Sequence, residues 1–179
     1  MSFAVSAVEF LRKTLAYPDW RGRALYGLFR SVFAFVPIRR RLVLDALKAS
    51  FPEKDEAWRK KTLHGMYRHF SWMIVEFLAC QNDPALVNKM VVEVEGRECA
   101  DAQRASGAGC FMLAVHFGNW EILGGWLLRN GYPVQPAARD ADNPEFAALI
   151  ERYRANLGET TLRKGAMNVR HMLRQAQRG

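Results

Sequence analysis

Apolar residues recur at helical spacing through the first eighty positions, and then the rhythm changes. Phe3, Val5, Val8, Phe10, Leu11 and Leu15 give a short amphipathic start interrupted by Pro18. Leu25, Leu28, Phe29, Val32, Phe33 and Val36 share one face, which predicts a helix over 23–36 stopped by Pro37. A second helix is expected over 40–50, ending at Phe51-Pro52. A longer one is expected over 55–79, with Trp58, Leu63, Met66, Tyr67, Phe70, Ile74 and Phe77 on its apolar side and a break at Asn82-Asp83-Pro84. From residue 89 short β-branched or apolar runs alternate with helical patterns. Strands are predicted at 90–95, 110–116, 133–138 and 159–163, and helices at 98–105, 119–129, 144–157 and 166–177. Gly131 and Gly158 punctuate two of those helices, and Asn143 followed by Pro144 is a good helix start. The alternation predicts an α/β fold: an N-terminal helical region over 1–85, then an α/β sheet over 86–179 with short crossovers.

Charge divides the chain along the same line. The net formal charge is +8, and residues 1–70 carry all of it, with 14 Lys and Arg against 6 Asp and Glu. Arg39-Arg40-Arg41 directly follows the apolar helix predicted over 23–36. A charge run is usually a solvated face, but arginines beside an apolar helix also suit lipid phosphates. Basic residues interleaved with apolar ones at helical spacing favour a membrane surface over a nucleic acid. Neither zinc-finger spacing nor an RNA-recognition aromatic motif is present. The best apolar stretch, 24–38, contains Arg30 and is too short to span a bilayer, and no signal peptide is evident. A peripheral or monotopic protein on a cytoplasmic membrane face is therefore expected. Cys80, Cys99 and Cys110 have no metal-like spacing and read as free thiols of a reducing compartment.

The chemistry concentrates at 110–121. The run expected to form a strand ends in His116, and Gly118-Asn119 then leads into a helix that contains Glu121 within its first turn. The C-terminal edge of an open α/β sheet is where ligands bind. Neutral imidazole can take a proton from a hydroxyl, and a carboxylate can fix its tautomer. Without a Gly-x-Ser-x-Gly elbow, direct activation of a substrate hydroxyl is favoured over a covalent acyl-enzyme. On spacing alone two readings stay open: a catalytic dyad, or a structural histidine beside an ordinary first-turn acid. Trp120 and Trp126 are either the lining of an acyl channel or plain core. No metal is needed.

His116-Phe117-Gly118-Asn119-Trp120-Glu121 resembles the signature of the lipid A biosynthesis acyltransferases, the lauroyl/myristoyl transferase family of the lysophospholipid acyltransferase superfamily. Gly131-Tyr132-Pro133-Val134, Arg139, Asn143-Pro144 and Arg163-Lys164-Gly165 resemble later family elements in the same order. Asp140 departs from the proline usual after the arginine. Family members continue past the equivalent of Gly179, so the sequence looks like the N-terminal part of a longer member.

The resemblance implies a truncated acyltransferase-type sheet and acyl transfer from a thioester to a lipid hydroxyl. The donor is an acyl-acyl-carrier-protein or acyl-CoA acting as co-substrate, with no other cofactor. The acceptor is a lipid A precursor at the bacterial inner membrane. His116 is the expected base and Glu121 its orienting acid. The backbone N–H groups of Gly118 and Asn119, near the helix N-terminus, are expected oxyanion donors; Arg139 is either a further oxyanion donor or a residue that holds an acceptor phosphate, and Arg163 and Lys164 are expected as substrate-binding residues. The alternatives are another acceptor, such as a phosphatidylinositol mannoside or a lysophospholipid, and a non-catalytic membrane-associated binding protein.

Overall fold

The computed structural model describes residues 2–36, 38–138, 141–163, 170, 172–174 and 176–177, with the backbone alone for Ala138 and Arg163. Its elements in order are α1 (Phe3–Thr14), α2 (Trp20–Phe35), α3 (Arg40–Ser50), α4 (Glu56–Asn82), α5 (Leu86–Met90), α6 (Arg97–Ala105), α7 (Trp120–Arg129), β1 (Ala137–Ala138), α8 (Pro144–Asn156) and β2 (Leu162–Arg163). The chain divides into two compact units, one made of Leu11–Ala79 and the other of Met1–Phe10 together with Cys80–Gly179.

The helical expectations hold with small changes of boundary. Asp19 starts α2 by accepting from the backbone N–H groups of Arg21 and Gly22. Asp55 accepts from the N–H of Trp58 at the start of α4, 2.7 Å away. In the unit 11–79, the Tyr26 and Trp72 rings stack at 4.3 Å and Phe33 stacks on Tyr67 at 5.3 Å. The Tyr67 hydroxyl donates to the Ile38 carbonyl. Leu25 and Leu63 are buried, whereas Leu28, Val32, Phe35 and Val36 are exposed. The apolar stripe of α2 is thus divided between packing on α4 and facing solvent. No helix of the described residues is long and apolar enough to cross a membrane.

The α/β expectation is overturned. Among the described residues the structure is mostly helical, with essentially no sheet. β1 and β2 are two residues each and pair in parallel, Ala137 with Leu162 and Ala138 with Arg163. Of the strands expected at 90–95 and 110–116, Met90 ends α5, and residues 91–94 and 110–115 have no regular secondary structure. The expected strands at 133–138 and 159–163 shrink to these two short pieces. A helix satisfies its own backbone, but a strand needs a neighbour to take its N–H and C=O groups. The 110–116 run carries the apolar content of a strand without such a neighbour among the described residues, and it lies open, Leu113 94% and Val115 69% exposed. The first residues of the helix expected over 166–177 lie outside the described set. Further on, the N–H of Gln177 donates to the Leu173 carbonyl, in keeping with a helical turn.

The unit formed by 1–10 and 80–179 is held by helix stops and by long-range pairs. At the end of α7 the N–H of Tyr132 donates to the Leu127 carbonyl and that of Gly131, at φ +81°, to the Leu128 carbonyl. This is a Schellman stop, and it brings Tyr132 back onto the helix. Tyr132 is buried, stacks near Trp126 at 6.0 Å and donates its hydroxyl to Asp101 at 2.6 Å. At the other end of the sequence, the Ser2 N–H donates to Glu145, while Glu9 is paired with Arg152 and accepts from the Tyr153 hydroxyl. These contacts fasten α1 to α8 across more than 140 residues.

Candidate active site

Asn119 organises the turn into α7. Its side chain accepts from the Ile122 N–H and its carbonyl from the N–H groups of Ile122 and Leu123. Gly118 precedes it at φ +61°, a left-handed conformation that costs glycine little. His116 is exposed at the near side of this turn and meets the Trp120 ring edge-on, with centroids 4.7 Å apart. Behind the turn, Ile122, Trp126 and Leu127 are buried, so α7 is a fixed platform. Trp126 is core, with Arg97 over its ring at 5.9 Å. An open cleft of about 390 Å³ is lined by Trp126 with Asn88, Val92, Arg97 and Asn130 among others, and His116, Gly118, Asn119 and Glu121 do not line it.

Glu121 lies on the same first turn as Trp120, and its carboxylate is committed elsewhere than to His116. Arg154 of α8 donates to it twice, Nε to Oε2 at 3.0 Å and a terminal nitrogen to Oε1 at 2.8 Å. The Trp120 indole N–H adds a third bond at 3.2 Å. The pair is mostly buried, with side-chain exposures of 17% for Arg154 and 13% for Glu121. The bond to Glu121 raises the Arg154 pKa above its ordinary value against the opposing effect of burial. A planar guanidinium against a carboxylate in this two-bond geometry fixes both partners.

A third group completes the cluster. Glu159 is 6% exposed, and its Oε1 has no hydrogen-bond partner. Burial pushes its carboxyl up to about 7, the nearby Glu121 and Glu151 push the same way, and Arg154 partly opposes them.

The expected site residues are therefore dispersed in what the structure describes. His116, Gly118, Asn119 and Glu121 are gathered at one helix start. The backbone of Arg163 lies in β2, whereas Arg139 and Lys164 fall outside the described residues. Among the described residues, no group of three or more His, Cys, Asp or Glu is placed to hold a metal ion. Two residues escaped the sequence reading. Arg154 looks like an ordinary basic residue in a last helical turn, and Glu159 like a loop acid. The available signal was Gly158, which marks a helix stop and so sets the residue after it against the one five positions earlier.

The family model described as bacterial lipid A biosynthesis acyltransferase matches residues 3–179. The chain belongs to that family. No curated protein and no solved structure matches it.

Proposed function

We propose that the protein transfers a fatty acyl group from an acyl thioester, carried by acyl carrier protein or coenzyme A, to a hydroxyl of a lipid A precursor or related glycolipid. Family membership over residues 3–179 carries this reading. His116 acts as general base on the acceptor hydroxyl, and its exposure leaves it open to a large lipid substrate. Glu121 steadies the imidazolium that forms. For this the carboxylate must be shared with, or released from, Arg154. The backbone at Gly118 and Asn119, beside the start of α7, is suited to a developing oxyanion. Arg139, Arg163 and Lys164 supply positive charge for the phosphates of the acceptor.

Action at the cytoplasmic face of the bacterial inner membrane, by peripheral or monotopic attachment, is part of the same proposal. It is supported by the exposed apolar residues Trp20, Leu28, Val32, Phe35, Ile38 and Leu42 in a stretch that also carries Arg39, Arg40 and Arg41. A second reading, a non-catalytic membrane-associated binding protein, is favoured by one observation: Arg154, and not His116, holds the Glu121 carboxylate.

An acyl-transfer assay on membranes, with labelled thioester and a lipid A precursor, separates the two. His116→Ala is expected to lower the rate by about 10²–10⁴-fold while leaving the circular dichroism spectrum unchanged. Activity equal to wild type in that variant defeats the general-base role, and no transfer by any form favours the binding protein.

A further inference from the structure

The two helix stops of the unit 1–10 and 80–179 are built alike and filled differently. At the end of α8 the N–H of Glu159 donates to the Arg154 carbonyl at 2.9 Å, and that of Gly158, at φ +95°, to the Ala155 carbonyl at 3.0 Å. This repeats the stop of α7, where Tyr132 folds back over Leu127. The paired positions of a Schellman stop usually make an apolar contact. Here they are Glu159 and Arg154, and Arg154 is already bonded to Glu121.

Helix α7 makes room for this arrangement. A Cβ added at Gly124 would lie 2.5 Å from Oε1 and 3.1 Å from Oε2 of Glu159. Gly124 is three residues after Glu121 and hence on the same helix face. The Glu159 carboxyl therefore occupies the space of a missing side chain, one turn along from the Glu121 carboxylate. The charged groups acting on it are Glu121 from α7, and Arg154 and Glu151 from α8. Two carboxyl groups in one partly dry cluster with one guanidinium cannot both ionise at little cost.

We infer that Glu159 is a positioning residue that divides Arg154 between two carboxylates: protonated, it leaves Arg154 wholly to Glu121, and ionised, it draws Arg154 away. Only the Glu159 O–H bond breaks, its proton passes to water, and Arg154 keeps its charge. Ionisation thus frees Glu121 to turn toward His116. This last consequence rests on the acyl-transfer reading, whereas the charge arrangement does not.

The test is a pH titration of the full chain by NMR, with carboxyl-labelled glutamate and side-chain-labelled arginine. One carboxyl is expected to titrate near neutrality and to vanish in Glu159→Gln. The resonances of Glu121 and Arg154 should move with the same midpoint in the wild type and stay level through neutral pH in the variant. Glu159 titrating in the ordinary glutamate range, or Glu121 and Arg154 indifferent to it, overturns the inference.

Should Glu159→Gln not fold, Gly124→Ala serves in its place. Its Cβ displaces the carboxyl and should bring the midpoint down toward the ordinary value; an unmoved midpoint overturns the inference as well. Thermal stability follows the same group. A folded-state pKa above the unfolded one stabilises the protonated form, so the wild type loses stability relative to Glu159→Gln as pH rises from the ordinary glutamate range to about 7, and the difference is level above that. In the acyl-transfer assay, Glu159→Gln should remove a neutral inflection from the kcat profile and leave KM unchanged. A protein that transfers no acyl group refutes the enzymatic reading, and the titration still decides the role of Glu159.

Discussion

The run at 110–117 and helix α7 are neighbours in sequence and both are apolar, yet one is open to solvent and the other buried. Phe111, Leu113, Val115 and Phe117 are all more than half exposed, while Ile122, Trp126 and Leu127 are each under a tenth exposed. Hydrophobicity does not separate them. What separates them is whether the backbone can be satisfied locally. α7 has Asn119 at its start, Gly131 at its stop and an internal ladder between, so it needs only one covered face. The run before it has no ladder of its own and, among the described residues, none supplied by a neighbouring strand. His116 and Gly118 sit at the junction of these two regimes, with an exposed run on one hand and a buried helix on the other.

Substitutions on either side of the junction should differ in their cost to stability. The largest effect is expected on the buried side. Leu127→Ala removes packing at a 7% exposed position and should cost about 2–5 kcal/mol in chemical denaturation. Asn119→Ala, at the boundary, removes the side-chain bond to the Ile122 N–H and should cost about 1 kcal/mol in the same measurement. Leu113→Ala, on the open side, should change stability by less than about 0.5 kcal/mol. A loss at Leu113 as large as that at Leu127 would mean that the open run is covered in solution, and the contrast would fail.

How far the sequence was legible follows the same divide. The boundaries of α2, α3, α4, α7 and α8 came within a few residues, because Pro37, Pro52, Pro84, Asn119, Asn143 and Gly158 act on their immediate neighbours. The sheet was misjudged because period and β-branching describe what a strand contains and not what lies beside it. Within the site, the turn from His116 to Glu121 was legible as a motif. The partner of Glu121 was not, since Arg154 is 33 residues away and reaches it only through the packing of α8. Glu159 was hidden for a related reason. Nothing local distinguishes a loop acid in water from one laid over a helical glycine, although Gly124 leaves the space for it.

The fastening of α1 to α8 also bears on how the chain comes into being. A ribosome releases the chain from its first residue onward, so Ser2 and Glu9 emerge long before Glu145, Arg152 and Tyr153 exist. The stretch 11–79, with its own stacked aromatic pairs, emerges complete while those partners are still unmade. The first ten residues must wait until Tyr153 has emerged before these contacts can close around them. During that interval Phe3 and Phe10, on the same helix as Glu9, are available to whatever greets a nascent chain, a chaperone or a bilayer. Birth order and assembly order are inverted here, and a pause in translation between residues 80 and 145 lengthens the interval.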